Sequence, residues 1–275
     1  MDINRLSLIV IVILCQASVA GAASYGVARS LTPVLNTPAL AAIFSGHDGK
    51  ILKTDRCGQV RELEFIALPG TSFRIIKEIR NGKMTVFQVE TADYPPPSGR
   101  GLYVDSRLIE TNDTEPPPRL RKQPEADAII AALKEAVGAS YVWGGNTLQG
   151  VPELAGLDCS GLLYHATDGW TPRNTAQLVA FGRAVPIVGK TPDELAKLLL
   201  PLDLIVWNGH LVIVADMETT IESRLLCGKK GNGGVTATPL LKRLKEIMRT
   251  RRSMDVWPGE GKQQDAFVVR RWFRY

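Results

Sequence analysis

The sequence predicts an α+β protein with a β-rich first half and a second half in which helices pack on an antiparallel sheet. Three observations support this prediction. Short segments of strand type follow one another between residues 45 and 111. A proline-rich stretch over residues 112–123 interrupts them, and residues 124–275 begin with helical periodicity and later show strand patterns. Strands and helices that are segregated along the chain in this way are typical of α+β proteins.

The composition indicates a folded protein and argues against some functions. The chain has 275 residues, of which 45% are hydrophobic, so it can bury the core of one or two domains. Its net charge of +5 favours an anionic environment, such as a wall polymer or a membrane surface. The sequence has no RNA-binding aromatic motif and no zinc-finger spacing, so we expect no nucleic acid as a partner.

Residues 1–22 have the pattern of an export signal. Arg5 precedes the apolar run Leu6–Leu14, and Ala20–Ala22 offers small residues for cleavage. An uncleaved anchor is the alternative, because the start of the chain carries little charge. The prediction is a protein exported to the periplasm or cell envelope.

Residues 45–111 are predicted to form a small barrel. Residues 23 to about 45 before them lack periodicity apart from a short helix expected around Thr37–Phe44. Pro69-Gly70 is a turn signal, and Asn81-Gly82 is the strongest short signal for a hairpin. Several short strands at this spacing are typical of a barrel. The predicted strands are Val60–Leu68, Phe73–Glu78, Met84–Glu90 and Gly101–Ile109.

The stretch Leu68–Ile76, with the sequence LPGTSFRII, is followed by Asn81-Gly82 and resembles a bacterial SH3 domain over about sixty residues. The resemblance implies an SH3-like barrel that binds wall peptides or shapes a neighbouring active site. A structural barrel without a ligand of its own is the alternative. The linker over residues 112–123 contains Pro116–Pro118 and should be extended and semi-rigid.

The second half opens with a predicted helix that has Pro124 in its first turn and ends at Gly138. Thr191–Glu194 reads as a capping box that opens a further helix. Asp203–Trp207 and His210–Ala215 are predicted to be neighbouring strands of one antiparallel sheet.

The stretch Leu157–Tyr164 places a cysteine at the start of a helix. Asp158 and Ser160 suit a first helical turn because their side-chain oxygens can accept from its free N–H groups. The positive end of the helix dipole would favour the thiolate of Cys159. Taken alone, a buried structural cysteine remains the better interpretation, because a reactive thiol needs a partner base.

The order of motifs in residues 124–275 resembles the NlpC-type papain-like cysteine peptidases of bacterial cell walls over about 150 residues. The resemblance implies a papain-like catalytic domain that cleaves peptidoglycan stem peptides, commonly at the γ-D-glutamyl–diaminopimelate bond, without a cofactor. The motifs, in chain order, are Tyr141–Gly145, Asp158–Leu162, Pro172–Gln177, Leu200–Leu204 and Gly209–Ile213.

His210 is the predicted base for Cys159. The chain has three histidines. His165 lies six residues after Cys159 on the same predicted helix, so it faces another direction. His47 has no acidic or cysteine partner near it in the sequence. His210 opens a predicted strand, which is where the resemblance places the base.

The third residue of the predicted catalytic set, which would orient His210, departs from the family pattern. Family members usually carry His, Asn or Gln twelve residues after the base, and this chain has Glu222 there. A carboxylate can orient an imidazole and stabilise its charged form. If residues 216–218 form a three-residue connection, Val212 pairs with Glu222, which then shares the face of His210. A two-residue connection would turn Glu222 away, as a solvated hairpin residue.

The resemblance also implies roles for four further residues. The hydroxyl of Tyr141 would support the oxyanion together with the backbone N–H of Cys159. Asp158 and Ser160 would face the free amine of the substrate. Arg173 could pair with a carboxylate of the stem peptide, or equally well form an ion pair inside the protein.

The mature chain would carry Cys57, Cys159 and Cys227 into an oxidising compartment. An odd number of cysteines fits one reactive thiol, with a Cys57–Cys227 bridge as an open possibility. The cysteine spacing matches no metal site, so neither a metal nor a cofactor is expected.

The C-terminal region is predicted to contain an amphipathic helix that Thr238 caps, with Pro239 in its first turn. It could contact an anionic wall or membrane surface through its basic side, and a solvated charged face is the alternative. Ala266–Arg271 is predicted to be a last strand of the sheet. The basic side contains Lys242, Arg243, Lys245 and Arg249.

These observations together predict a secreted peptidoglycan hydrolase that cleaves stem peptides through a cysteine thioester. An amidase or a transpeptidase would use the same intermediate and is the alternative among enzymes. A wall-binding protein with a degenerate active site is the alternative outside enzymes, and the unusual Glu222 is the feature that suggests it.

Overall fold

The structure, a computed structural model, describes residues 24–44, 52–81, 84–96, 99–229, 232–259 and 265–274. The predicted export signal, His47 and the glycine of the predicted Asn81-Gly82 turn lie outside the described residues. The described chain is α+β and contains two seven-stranded sheets, in which the strands pair antiparallel except for one parallel pair. None of the described helices has the length and apolar character needed to cross a membrane.

The first sheet is built from the first seven strands, in the order β3-β2-β6-β5-β4-β1-β7. A short helix, α1, covers Leu40–Ile43, inside the helix that the sequence predicts. Strands β4 and β5 form the predicted hairpin, but Asn81 pairs with Met84 and so belongs to β4 and not to the turn. The strands are β1 Tyr25–Ala28, β2 Thr32–Leu35, β3 Leu63–Ala67, β4 Ser72–Asn81, β5 Met84–Glu90, β6 Leu102–Asp105 and β7 Ile109–Asn112.

The first sheet begins earlier than the sequence indicates. Strand β1 pairs with β4 and β7, and β2 pairs with β3 and β6, although both precede the predicted start at residue 45. Each of these two strands has four residues, which is too few for alternation to be distinguished from an irregular segment. Their strand character therefore comes from pairing with distant residues, which a local pattern does not show.

In the second half, short helices alternate with the strands of the second sheet, whose order is β10-β16-β11-β12-β13-β14, with β15 paired with β16. The predicted last strand, β16, lies inside this sheet next to β11. The helices are α2 Ala126–Glu135, α3 Cys159–Ala166, α4 Thr175–Leu178, α5 Pro192–Leu198 and α6 Leu240–Met248. The strands are β8 Asn146–Thr147, β9 Gly156–Leu157, β10 Arg183–Ala184, β11 Leu204–Trp207, β12 His210–Val214, β13 Thr219–Leu225, β14 Gly233–Pro239, β15 Arg252–Ser253 and β16 Ala266–Arg271.

Helices cover both faces of this sheet. Leu211 and Ile213 of β12 pack with helices α2 and α3, whereas Val212 and Val214 pack with α5 and α6. Since neighbouring strand residues point to opposite faces, a strand that is covered on both sides must be apolar throughout. This explains why β11 and β12 read as continuous apolar runs.

The predicted capping box of α5 is confirmed, because the side chains of Thr191 and Glu194 each accept from the other's backbone N–H. The predictions for the starts of two other helices were wrong. Helix α2 begins at Ala126, with Pro124 before its N-cap residue. Thr238 does not cap α6, because it pairs with Thr220 in the sheet and its strand runs through residue 239.

Cys57 and Cys227 form a disulfide across 170 residues of sequence. The bridge joins the loop before β3 to the connection between β13 and β14. The two halves are therefore tied covalently, and the possibility that the sequence left open is settled. Cys57 is buried, whereas Cys227 is exposed at the surface.

We expect loss of this bridge to destabilise the protein, because a crosslink over a long loop restricts the unfolded chain. Dithiothreitol should lower the free energy of unfolding of the wild type by roughly 2–5 kcal/mol. Thermal unfolding should then occur at the same temperature in the reduced wild type and in Cys57→Ser, and dithiothreitol should leave Cys57→Ser unchanged. A wild-type unfolding temperature that is insensitive to complete reduction would contradict this expectation.

Candidate active site

The glycine-containing loop 141–145 lies where the first sheet meets the second half. The side chain of Gln59 accepts a hydrogen bond from the backbone N–H of Trp143 at 2.8 Å. Gly144 has φ +71°, and a Cβ there would lie 2.6 Å from the carbonyl oxygen of Leu63 in β3. Only glycine therefore permits both this backbone conformation and this close approach.

Helix α3 begins at Cys159, with Asp158 as its N-cap. The Asp158 carboxylate accepts from the backbone N–H of Gly161 at 2.6 Å, which satisfies one of the free donors of the first turn. The thiol of Cys159 is free, in contrast to the bridged Cys57 and Cys227, and it is buried.

Arg173 is only 2% exposed and lies against the start of α3. Its Nη2 and Nη1 donate to the two carboxylate oxygens of Asp158 at 2.7 and 3.1 Å, and Nη1 also donates to the hydroxyl of Ser160 at 3.0 Å. Burial alone would lower the pKa of Arg173, but the adjacent Asp158 carboxylate raises it. Arg173 thus forms the internal ion pair, and its guanidinium is not available to a substrate carboxylate.

Burial raises the pKa of the Cys159 thiol to about 12, and the Asp158 carboxylate acts in the same direction. Arg173 and the backbone N–H groups of Ser160 and Leu211 lower it, but they do not offset burial. The start of the helix does not by itself ionise the thiol, contrary to the expectation from the sequence. Deprotonation therefore requires a base.

The thiol lies against the backbone on either side of His210. Its Sγ is 3.8 Å from the carbonyl oxygen of Gly209, and the backbone N–H of Leu211 interacts with it from the other side of the histidine. His210 opens β12, as the sequence predicts. It follows a two-residue connection from β11 in which Gly209 has φ +88°.

Glu222 contacts the imidazole directly. The Nε2 of His210 donates to Oε2 of Glu222 at 2.6 Å. Ile213 pairs with Ile221, so the connection after β12 has the three-residue length that the sequence argument requires. The predicted register is confirmed, and it places Glu222 on the face of His210. The carboxylate is fully buried there.

Two arginines surround the same carboxylate. Arg243 of α6 donates from Nη2 to Oε2 of Glu222 at 2.9 Å, and its Nε lies 2.6 Å from Oε1. The Nε of Arg224 is 3.6 Å from Oε1. Burial alone would raise the pKa of Glu222, but His210 and Arg243 lower it below its ordinary value. Because Glu222 is ionised, Nε2 of His210 carries a proton, and Nδ1 remains to accept one from a thiol.

The sequence pattern placed Arg243 on the exposed basic side of α6, and this was wrong. Arg243 is 9% exposed and points inward. It lies three residues after Leu240 and four before Ile247, so it occupies a position within the buried stripe of the helix. That spacing could have identified Arg243 as inward-facing.

A pocket of about 130 Å³ opens beside the thiol. Tyr141 lies at its edge, and burial, Asp158 and Cys159 raise the pKa of its phenol, so it stays protonated and able to donate. The predicted site residues that line this pocket are Tyr141, Asp158, Cys159, Ser160 and Arg173.

Glu64 and Tyr94 of the first half also line the pocket, and the sequence argument missed both. The Glu64 carboxylate accepts from the hydroxyl of Tyr94 at 2.5 Å and from Nδ2 of Asn36 at 2.7 Å. Burial and the Glu64 carboxylate raise the pKa of Tyr94. A charged residue inside the otherwise apolar strand β3 is the signal that could have found Glu64.

The described residues contain no group of three or more His, Cys, Asp or Glu side chains that could hold a metal ion.

We expect Glu222 to control the reactivity of Cys159 through His210. Glu222→Gln removes the charge that stabilises the imidazolium, so less of the reactive thiolate–imidazolium pair should be present. Alkylation of Cys159 by iodoacetamide at neutral pH should slow by about tenfold for each 1.4 kcal/mol by which the free energy of this pair rises. The limb of the pH–rate profile that reports loss of the imidazolium proton should shift to lower pH. Glu222→Ala should be slower still, because it also loses the hydrogen bond.

Cys159→Ala is the blank for this measurement, because it lacks the alkylated group. If Glu222→Ala reacts at the wild-type rate with the wild-type pH profile, another group orients His210.

The chain matches no protein-family model, and a comparison with curated proteins finds no match. The chemistry of the site therefore rests on its own geometry. A buried thiol at the start of a helix, a base beside it and a carboxylate bound to that base form a set suited to attack on a carbonyl carbon.

Proposed function

We propose that the protein is a cysteine peptidase that hydrolyses amide bonds in peptidoglycan stem peptides through a thioester. The observation that supports this most directly is that the Cys159 thiol contacts the backbone on both sides of His210, whose Nε2 is bound to Glu222. Nucleophilic amide cleavage requires a nucleophile, a base within reach and a group that orients the base. The order of sequence motifs supports the γ-D-glutamyl–diaminopimelate bond as the scissile bond.

The second half would then be a papain-like catalytic domain, and the first sheet would be a bacterial SH3-like domain. Support for the former comes from the positions of the two reactive residues. Cys159 opens a helix that packs on an antiparallel sheet, and His210 opens a strand of that sheet. Support for the latter is that the second part of the stretch Leu68–Ile76 forms the beginning of β4 in the first sheet.

The proposed reaction begins when Sγ of Cys159 attacks the scissile carbonyl carbon and its proton passes to Nδ1 of His210. The backbone N–H of Cys159 and the hydroxyl of Tyr141 donate to the oxyanion that forms. Glu222 stabilises the imidazolium at this stage. The imidazolium then gives its proton to the leaving amine as the C–N bond breaks, which leaves a thioester. A water molecule, deprotonated by His210, hydrolyses the thioester and releases the thiol.

The pocket supports a short peptide end as the substrate. Its volume of about 130 Å³ is below the roughly 300 Å³ at which ordinary ligand pockets begin. Residues from both halves form its wall, so the first sheet closes one side of the cleft. A long polymer would have to pass this wall, whereas the end of a released peptide would not.

The charges of the pocket support a free amine at that end. Asp158 is occupied by Arg173, so these two charges offset each other. Glu64 adds a second carboxylate to the same pocket, and the guanidinium of Arg100, which is 3.6 Å away, is largely exposed. A substrate ammonium group would meet a net negative site.

The disulfide and the surface charge support a place in the cell envelope. Disulfides persist in oxidising compartments, and the Cys57–Cys227 bridge fits export. Lys242, Lys245 and Arg249 are exposed on α6, where they could contact an anionic wall or membrane surface.

Mass analysis of muropeptides tests the proposed reaction. The wild type should release fragments cut within the stem peptide, and Cys159→Ser should release none while it unfolds at a similar temperature. Activity retained in Cys159→Ser would refute the thioester mechanism.

Other products would identify other functions. Stem peptides released whole from the glycan would indicate an amidase, and exchanged peptides would indicate a transpeptidase. Binding to wall material without any cleavage product would indicate a wall-binding protein.

The preference for a free amine is tested with matched peptides. L-Ala-γ-D-Glu-diaminopimelate should be cleaved faster than its N-acetylated form by roughly 10- to 100-fold, the value of one charge-assisted hydrogen bond. The same peptide should also be cleaved faster than intact sacculus, because the first sheet narrows the cleft. Equal rates for the free and acetylated peptides would exclude recognition of the amine.

A further inference from the structure

Arg243 lies behind the candidate active site and does not line its pocket. Its guanidinium contacts both oxygens of the Glu222 carboxylate, and its Nη1 donates to Glu246 at 3.1 Å. The contact at Oε2 is shared, because the same oxygen accepts from Nε2 of His210. One carboxylate oxygen therefore joins the arginine to the imidazole.

Glu222 could not hold this position as an anion without a nearby cation. Its side chain is fully buried in a sheet that is apolar on both faces. A carboxylate in such surroundings takes up a proton unless opposite charges compensate for lost hydration. A protonated Glu222 would no longer stabilise the imidazolium.

The charged and titratable groups around Glu222 come from several elements. Arg224 lies on the same strand, at 3.6 Å and with a third of its side chain exposed, so solvent screens its charge more than that of Arg243. Arg243 is thus the principal buried counter-charge. The other groups that face this cluster are His210 of β12, Cys159 of α3, Glu246 of α6 and Arg251, which interacts with Arg243 and lies over the ring of Trp207.

We propose that Arg243 is a positioning residue, which keeps the Glu222 carboxylate ionised and fixed so that Oε2 holds the His210 imidazole with its Nδ1 available to the Cys159 thiol. The inference rests on the proposed function for the reaction itself, but it concerns only how the base is held. Arg243 touches neither the pocket nor the reacting atoms. Its effect on catalysis passes through Glu222.

Arg243→Met should lower kcat by roughly 10- to 100-fold, the range typical of residues that orient a reactive side chain. KM should change little, because Arg243 does not line the pocket. Arg243→Lys keeps a positive charge at the end of a long aliphatic side chain, so its kcat should lie between those of Arg243→Met and the wild type. Lys197→Met removes a charge from the exposed side of the neighbouring helix α5 and serves as the matched control, with unchanged kcat.

The pH profile separates positioning from a general loss of stability. Glu222 is ionised in the wild type because His210 and Arg243 lower its pKa, so Arg243→Met should raise that pKa. When the solution is acidified, the Glu222 carboxylate of this variant would take up a proton at a higher pH than in the wild type, and the activity that depends on its charge would be lost there. The acid limb should therefore shift to higher pH in Arg243→Met, whereas Glu222→Gln shifts the profile to lower pH. Destabilised folding alone would not produce opposite shifts.

A double variant covers the case in which Arg243→Met fails to fold with an unpaired buried carboxylate. Arg243→Met combined with Glu222→Gln leaves a neutral side chain on each side of the contact. If Arg243 acts through Glu222, this double variant should have the kcat of Glu222→Gln alone within about twofold, because the effects of coupled residues are not additive. An additional loss as large as that caused by Arg243→Met in the wild type would refute the proposal, as would a wild-type kcat and pH profile in Arg243→Met.

The reactivity of Cys159 towards iodoacetamide, measured across pH, distinguishes failure of the proposed function from failure of the role proposed for Arg243. If the wild type cleaves no stem peptide, the proposed function fails, yet the alkylation profile still reports whether Arg243 acts on His210. If the wild type cleaves stem peptides and Arg243→Met alkylates and hydrolyses as the wild type does, only the role of Arg243 fails.

Discussion

The buried ion pair between Arg173 and Asp158 is the interaction on which the rest of the site depends. It fixes the N-cap of the cysteine helix, and Nη2 of Arg173 also donates to the carbonyl of Gly145 in the glycine loop. The Nε of Arg173 donates to the side-chain oxygen of Asn146. The side-chain amide of Asn146 in turn forms hydrogen bonds with the backbone N–H and the backbone carbonyl of Ile66 in the first sheet. Loss of one partner of such a pair costs about 3–5 kcal/mol. One arginine thus links the start of the Cys159 helix, the glycine-containing loop and the first sheet.

A second buried arginine, Arg243, contacts the carboxylate that is bound to His210. Helix α3 brings Cys159 to β12 from one face of the second sheet, whereas Glu222 and α6 belong to the other face. His210 stands at the end of its strand, where groups from both faces can reach it. Since burial raises the pKa of the thiol, the start of the helix alone does not generate a thiolate. In the proposed mechanism, the charges around His210 therefore decide how easily the thiol is deprotonated.

Local patterns predicted those elements whose cause is local. The capping box of α5 and the hairpin between β4 and β5 depend on residues that are close in sequence, and both are present, although Asn81 belongs to β4 and not to the turn. Strands β1 and β2 were missed because their partners are distant in sequence. Thr238 has the chemistry of a helix cap, yet its backbone is committed to a sheet partner, and the cap was wrongly assigned for that reason.

The sequence by itself determined which side chains could meet at the site. Strand parity put Glu222 on the face of His210, and this argument needed only the length of one connection. Tertiary structure decided what a local pattern cannot express, namely the partner of each charge. Arg173 paired inside the protein, and Arg243 turned inward, because burial of a carboxylate requires a cation that the packing of distant elements must supply.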